Sequence, residues 1–195
     1  MNNWLEEKYK EGLQISKRFE TYKKAIELND EREGKIIVET GTIRLANDWG
    51  AGMSTLIFGD YARRINGHLF TVDNDGAAIE VCKKETAEFK DVISYVVNDS
   101  VAFLMAFNQQ IDLLYLDSMD CPEYDAPDSP QLLASQTHQL NEFEAARDKL
   151  SDRAVVLLDD NDFENGGKTK LTKVELLKHG FTEVMGGKQS LWIRS

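Results

Sequence analysis

Short apolar runs alternate with longer stretches of helical spacing along most of the chain. From Trp4 to about Leu28 the apolar residues Ile15, Phe19, Tyr22 and Ile26 fall 4, 3 and 4 apart with charges between them. This predicts an amphipathic helix, which Gly12 would divide in two. After the turn Asn29–Gly34, Lys35–Val38 reads as a buried strand, and a helix over Ser54–Ile65 stops at Asn66-Gly67. Leu69–Val72 is the next strand, and Gly76–Phe89 the next helix. Val92–Val97 is a third strand, with a short helix over Val101–Phe107, and Ile111–Leu116 is a fourth. A loop over Ser118–Pro130 leads into a helix ending near Leu150. Ala154–Leu158 then reads as a strand and Lys168–Lys178 as a helix, with Gly166-Gly167-Lys168 at its start. Phe181–Met185 and Ser190–Ile193 close the chain as two strands joined by Gly186-Gly187-Lys188.

Strands alternating with helices predict an α/β fold, a doubly wound and mostly parallel seven-stranded sheet covered on both faces. The closing pair must be antiparallel, so the sheet ends in a reversed C-terminal hairpin strand. An N-terminal helical extension precedes it. The chain has 195 residues, ordinary for one domain.

Ligands of such sheets bind beyond the carboxyl ends of the strands, where strand order reverses. Five strand ends in a row carry an acid: Glu39, Asp73, Asp99, Asp117 and Asp159. After the first strand, Gly41 permits a sharp turn, and Gly50 and Gly52 precede Ser54, a good helix N-cap. The spacing is not G-x-G-x-x-G, which speaks against a nicotinamide dinucleotide, and an acid ahead of the glycine suits a cationic ligand.

These features resemble the class I, Rossmann-like S-adenosylmethionine-dependent methyltransferases. Glu39-Thr40-Gly41 matches the family's acid-x-Gly motif, with Thr42–Trp49 inserted before Gly50. The resemblance implies that Asp73 holds the ribose hydroxyls, and that Asp99, with Asn98 or Ser100 beside it, meets the adenine edge. Leu114–Ser118 matches the motif after strand four and makes Asp117 a cofactor contact. It divides the chain into a helical extension over 1–30 and an S-adenosylmethionine-binding methyltransferase domain over 31–195. Methyl transfer to a small-molecule acceptor follows, with oxygen the preferred nucleophile. An N-methyltransferase and a methyltransferase-like protein that only binds are the alternatives.

A hydroxyl acceptor needs a base or a metal. Asp117 and His138 are the catalytic candidates, His138 lying four residues before Glu142 on one helix face. Asp117 with Asp160 and Asn161 also resembles the hard-oxygen site of the catechol-type O-methyltransferases, which would take Mg²⁺ or Ca²⁺.

Net charge adds constraints. At −11, with a pI near 4.8, the chain is unsuited to nucleic acid as its main partner. No apolar run reaches the roughly 18 residues of a membrane span, and the first residues lack the apolar core of a signal peptide. Two cysteines without a CxxC pair fit a reducing cytoplasm. The oligomeric state stays open, a homo-oligomer included.

Overall fold

Successive residues of a strand point to opposite faces of a sheet, and two buried clusters separate on that period. Ile37, Leu69, Leu113, Tyr115, Val155 and Leu157 lie in one. Val38, Leu114, Leu116, Val156 and Leu158 lie in the other. Both faces are therefore dry, as the continuous apolar runs predict. A computed structural model describes residues 3–194.

The strands are β1 (Ile36–Thr40), β2 (His68–Asp73), β3 (Ile93–Val97), β4 (Ile111–Leu116), β5 (Leu150–Leu158), β6 (Phe181–Gly186) and β7 (Ser190–Arg194). They form one seven-stranded sheet in the order β3-β2-β1-β4-β5-β7-β6. Strands β1 to β5 pair in parallel, while β7 runs antiparallel to both β5 and β6. The reversed strand thus lies inside the sheet, not at its end, and β6 forms the edge.

The helices are α1 (Trp4–Ile15), α2 (Phe19–Glu31), α3 (Ser54–Arg64), α4 (Gly76–Glu85), α5 (Ser100–Ala106), α6 (Pro130–Ala146) and α7 (Lys170–Lys178). Side chains of α1, α2 and α3 fill the first cluster, and those of α5, α6 and α7 fill the second. Tyr22 of α2, Phe58 of α3 and Tyr115 of β4 meet edge-on at ring centroids 5.3–5.9 Å apart, so α2 packs as core. Among the described residues, no helix is long and apolar enough to cross a membrane.

Three expected boundaries move for local reasons. The N-terminal helix breaks at residues 16–18, where Lys17 takes a left-handed φ of 58°, and not at Gly12. Ile15 consequently leaves the apolar stripe and is 70% exposed. Gly12 instead makes room for the Trp49 ring, which a Cβ there would meet at 2.2 Å. Strand β5 starts at Leu150, its pairing with β4 shifting between Ile111 and Leu113, and its head contains exposed Asp152 and Arg153 that hide it from an apolar pattern. Helix α7 starts at Lys170, leaving Lys168 in the preceding turn.

Candidate functional site

Strand order reverses at β1, which pairs with β2 on one side and β4 on the other. Two clefts open beyond the carboxyl ends there, as the topology requires. The first, about 300 Å³, is lined by Gly41, Thr42, Arg44, Ser54, Asp73 and Asp117 among others. The second, about 330 Å³, is lined by Asp73, Asn74, Asp99, Ser100, Ser118 and His138 among others. Asp73 and Ser118 border both, so the two run on from one another.

Gly41 is the hinge of the first cleft. Its φ is +82°, and a Cβ would stand 2.5 Å from the Asp117 carbonyl oxygen. Only glycine lets the β1 loop lie this close to the end of β4. Asp73 accepts a hydrogen bond at Oδ1 from the Asp75 amide (2.8 Å), and burial raises its carboxyl above the ordinary range. The inserted segment forms a wall through Thr42, Ile43, Arg44, Leu45 and Asp48. Arg44 reaches across to Asp120 in a bidentate pair at 2.8 and 3.0 Å, joining that wall to the loop after β4.

Glu39 lies beneath the cleft and does not line it. It is fully buried, with Oε2 accepting from Thr55 (2.7 Å) and Thr71 (2.8 Å), and Oε1 has no hydrogen-bond partner among the described residues. Burial pushes its carboxyl up to about 7, against the pull of the neighbouring hydroxyls. Its link to the cleft runs through Thr42, whose hydroxyl lies 3.1 Å from Thr71 and 3.3 Å from Thr55. Gly52, with φ +101°, makes room for the Arg18 side chain and is not among the residues lining either cleft. Ser54 is the first residue of α3; the cap position is Met53, left-handed at φ 47° and without a side-chain cap.

At the β3 end, Asp99 caps α5 by accepting from the Ala102 amide (2.8 Å), and Asn98 turns its Oδ1 to the Asp99 amide (2.9 Å). Asn98 is absent from the cleft walls, whereas Asp99 and Ser100 belong to the second cleft. His138 Nε2 sits 3.1 Å from Ser100 Oγ and 3.4 Å from Glu142 Oε1, and the Glu142 carboxylate raises its pKa. The two catalytic candidates therefore face different clefts: Asp117 the first, His138 the second.

Behind Asp117 lies a charge cluster that the sequence reading missed. Arg18, from the α1–α2 turn, grips Asp159 through Nε (2.8 Å) and Nη2 (3.0 Å). Burial would raise the Asp159 carboxyl, but Arg18 outweighs it and holds it at about 2. The Tyr115 hydroxyl bonds with Asp159 and lies 3.2 Å from Asp117 Oδ2. Lys168, only 1% exposed, donates to Asp117 Oδ1 (2.7 Å) and to the Met119 carbonyl (2.9 Å), and stands 3.4 Å from Asp160 Oδ2. Asp160 Oδ1 takes Lys188 at 2.9 Å. Burial would lower the Lys168 ammonium, but Asp117, Asp160 and Asp159 together raise it. Burial, then the negative charge of Asp159, pushes Asp117 upward. The only sequence signal for these cations was indirect: acids buried at strand ends require partners.

The expected metal triad does not assemble. An ammonium occupies the space between Asp117 and Asp160, and Asn161 is used elsewhere. Its Oδ1 accepts from Thr169 and Lys173 (both 3.0 Å), and its Nδ2 donates to the Gly187 carbonyl (2.8 Å). Among the described residues, three acid, cysteine or histidine side chains converge at ligand distance only at Glu144, Glu175 and His179, where Arg147 already contacts Glu144 and His179.

A family profile described as a methyltransferase domain matches residues 48–161. No curated protein matches the chain in sequence. Among solved structures, a methyltransferase of Geobacter sulfurreducens is 15% identical with a TM-score of 0.57, the match covering 88% of this chain and 75% of that one. An SAH-bound methyltransferase of Podospora anserina is 15% identical with a TM-score of 0.62, covering 87% of this chain and 75% of that one. An S-adenosylmethionine-dependent O-methyltransferase of Thermotoga maritima is 11% identical with a TM-score of 0.54, covering 83% and 59%. With the sheet order, the clefts at the β1 switch point and the profile in agreement, the chain belongs to the methyltransferase-domain family and has the class I, Rossmann-like fold of the S-adenosylmethionine-dependent enzymes.

Proposed function

We propose that the chain transfers the methyl group of S-adenosylmethionine to a small-molecule acceptor, with oxygen as the nucleophile. The observation that carries this reading is the run of two joined clefts with Gly41 and Asp117 at one end, Asp73 between them and Asp99 with Ser100 at the other. The donor set suits the cofactor's parts in that order. Asp73 can accept from both hydroxyls of a ribose. Asp99 and Ser100 offer an acceptor and a hydroxyl to the adenine edge, and His138, hydrogen-bonded to Ser100, belongs with them on the nucleoside side. Gly41 leaves room for the amino-acid portion, and Asp117 suits its ammonium. Glu39 acts through Thr55, Thr71 and Thr42 to keep the loop in place.

When bound, S-adenosylmethionine supplies a methyl already activated on a sulfonium. The protein's work is then alignment and water exclusion. An oxygen acceptor must also lose a proton, and Asp117 is the carboxylate of the first cleft placed to take it. His138 faces the nucleoside side, so we assign it to binding and not to acceptor deprotonation.

Calorimetric titration with S-adenosylhomocysteine (SAH) tests the reading on wild type and Asp73→Ala. Micromolar binding that Asp73→Ala weakens at least tenfold is the expected result, since losing a charged hydrogen-bond acceptor costs about 1.5–3 kcal/mol. A folded wild type that binds neither SAH nor S-adenosylmethionine would overturn it.

A further inference from the structure

The acids after β4 and β5 stand where a divalent cation would bridge them, yet the bridge is already built. The Lys168 ammonium has three N–H donors and three oxygens around it: Asp117 Oδ1 at 2.7 Å, Met119 O at 2.9 Å and Asp160 Oδ2 at 3.4 Å. All three come from segments that a metal would join, two from the β4 end and one from the β5 end. The first two distances are those of charge-assisted hydrogen bonds, longer than the roughly 2.0–2.6 Å of Mg²⁺ or Ca²⁺ to oxygen.

The backbone fixes this lysine in place. Asp160 is left-handed at φ 53°, its carbonyl accepts from the Lys168 amide (2.9 Å), and a Cβ on Gly167 would strike that carbonyl at 2.1 Å. The turn from Asp160 to Lys168 therefore closes on itself and aims the lysine stem inward. Lys188 takes the remaining oxygen of Asp160, and Asn161 is tied to Thr169, Lys173 and Gly187. Arg18, Lys168 and Lys188 face Asp117, Asp159 and Asp160, so three cations offset three carboxylates without any ion from solution.

We infer that Lys168 is the resident cation of this site, standing where the catechol-type pattern would place a divalent metal, and that it positions Asp117 by holding Oδ1. It follows that an acceptor is not chelated here, because the ammonium is held within the protein by two hydrogen bonds and an ion pair to Asp160. Activation of a vicinal diol by two-point metal binding is then outside this enzyme's chemistry, and an acceptor needs only one nucleophilic atom. The positioning half rests on the cofactor reading proposed above; the cation half does not.

Mn²⁺ titration followed by electron paramagnetic resonance tests the cation half on the full chain. Wild type should bind no Mn²⁺ that the Asp160→Ala substitution abolishes. Lys168→Ala should gain one Mn²⁺ site, lost again in Lys168→Ala/Asp160→Ala. Asp160-dependent Mn²⁺ binding by wild type would overturn the inference, and so would a folded Lys168→Ala that gains none. The wild-type arm decides the question even if Lys168→Ala fails to fold.

For the positioning half, SAH affinity should fall about tenfold in Lys168→Ala, the scale of a lost supporting contact. Added Mn²⁺ should restore it, and Lys168→Arg should keep most of it. A loss that neither Mn²⁺ nor arginine repairs would overturn positioning by charge. If wild type binds no SAH at all, the cofactor reading fails while the Mn²⁺ result still stands.

Discussion

Arg18 and Asp159, 141 residues apart in sequence, form a bidentate ion pair at 2.8 and 3.0 Å in which the arginine is 5% exposed and the acid fully buried. The pair ties the α1–α2 turn to the end of β5. Arg18 also donates to the Gly50 carbonyl at 3.1 Å, so the same side chain anchors the inserted loop. The N-terminal helices are thereby joined to the floor of the cleft.

Removing one partner of such a pair strands a buried charge, at a cost of about 3–5 kcal/mol. Arg18→Met should lower unfolding free energy by that amount in urea denaturation at neutral pH, and Arg18→Met/Asp159→Asn should recover part of it. The pair also sets an acid limb. Asp159 is held at about 2 when folded, below its ordinary 3.8, so its stabilisation is complete above pH 4 and fades as pH falls toward 2. Denaturation between those values should be shallower in Asp159→Asn than in wild type.

Glu39 predicts the opposite slope in a separate window. Its folded value of about 7 lies above the ordinary 4.5, so its contribution is fully present below 4.5 and is lost as pH rises through 7. At roughly 1.4 kcal/mol per unit, the swing is about 3 kcal/mol. Glu39→Gln keeps an acceptor for Thr55 and Thr71 and does not titrate. Its stability relative to wild type should therefore rise by about that much between pH 5 and pH 8. Equal pH profiles for the two proteins would refute the assignment.

The strand-end acids were legible because β-strands of a parallel sheet are nearly continuous apolar runs, which leave the first polar residue conspicuous. Asp73, Asp99 and Asp117 line the clefts. Glu39 reads the same way in sequence but belongs under the floor, since whether a strand-end side chain meets ligand or core depends on face and depth, which one chain does not reveal. Lys168 and Arg18 were invisible for another reason. Each sits in a turn that the sequence pattern runs over as helix, and its partner acids lie 51 and 141 residues away. The Asp160-Asn161 pair gave no hint of Lys168, because a metal pattern specifies oxygens and is silent about a cation the chain supplies itself.

Gly41 offers a test of how closely the β1 loop must approach β4. Alanine there would combine a left-handed φ with a Cβ 2.5 Å from the Asp117 carbonyl, a backbone atom that cannot step aside without moving β4. Backbone strain of this kind costs about 1–3 kcal/mol. Gly41→Ala should lose stability in that range and weaken SAH binding, because Asp117 is displaced with its strand. Gly76→Ala is the matched control, as its Cβ would meet nothing closer than Val97 at 4.0 Å. That variant should keep both stability and SAH affinity. A Gly41→Ala protein as tight as the control would remove Gly41 from the binding site.

Arg44 and Asp120 bridge the mouth of the first cleft, and their exposures of 55% and 78% determine what the bridge can do. Exposed ion pairs contribute about 0–1 kcal/mol to stability, so Arg44→Ala should leave the melting temperature nearly unchanged. The two residues nonetheless belong to different walls, the insert after β1 and the loop after β4, which the pair joins. Breaking the pair frees both walls, which should speed SAH release more than it slows capture, since related complexes differ mostly in dissociation rate. Stopped-flow displacement of SAH should show faster release in Arg44→Ala, and rising salt should bring wild type toward the variant as screening weakens the pair. The swap Arg44→Asp/Asp120→Arg restores opposite charges across the mouth and should return slow release. If the swap releases SAH as fast as Arg44→Ala, the arginine contacts ligand directly and the bridge is incidental.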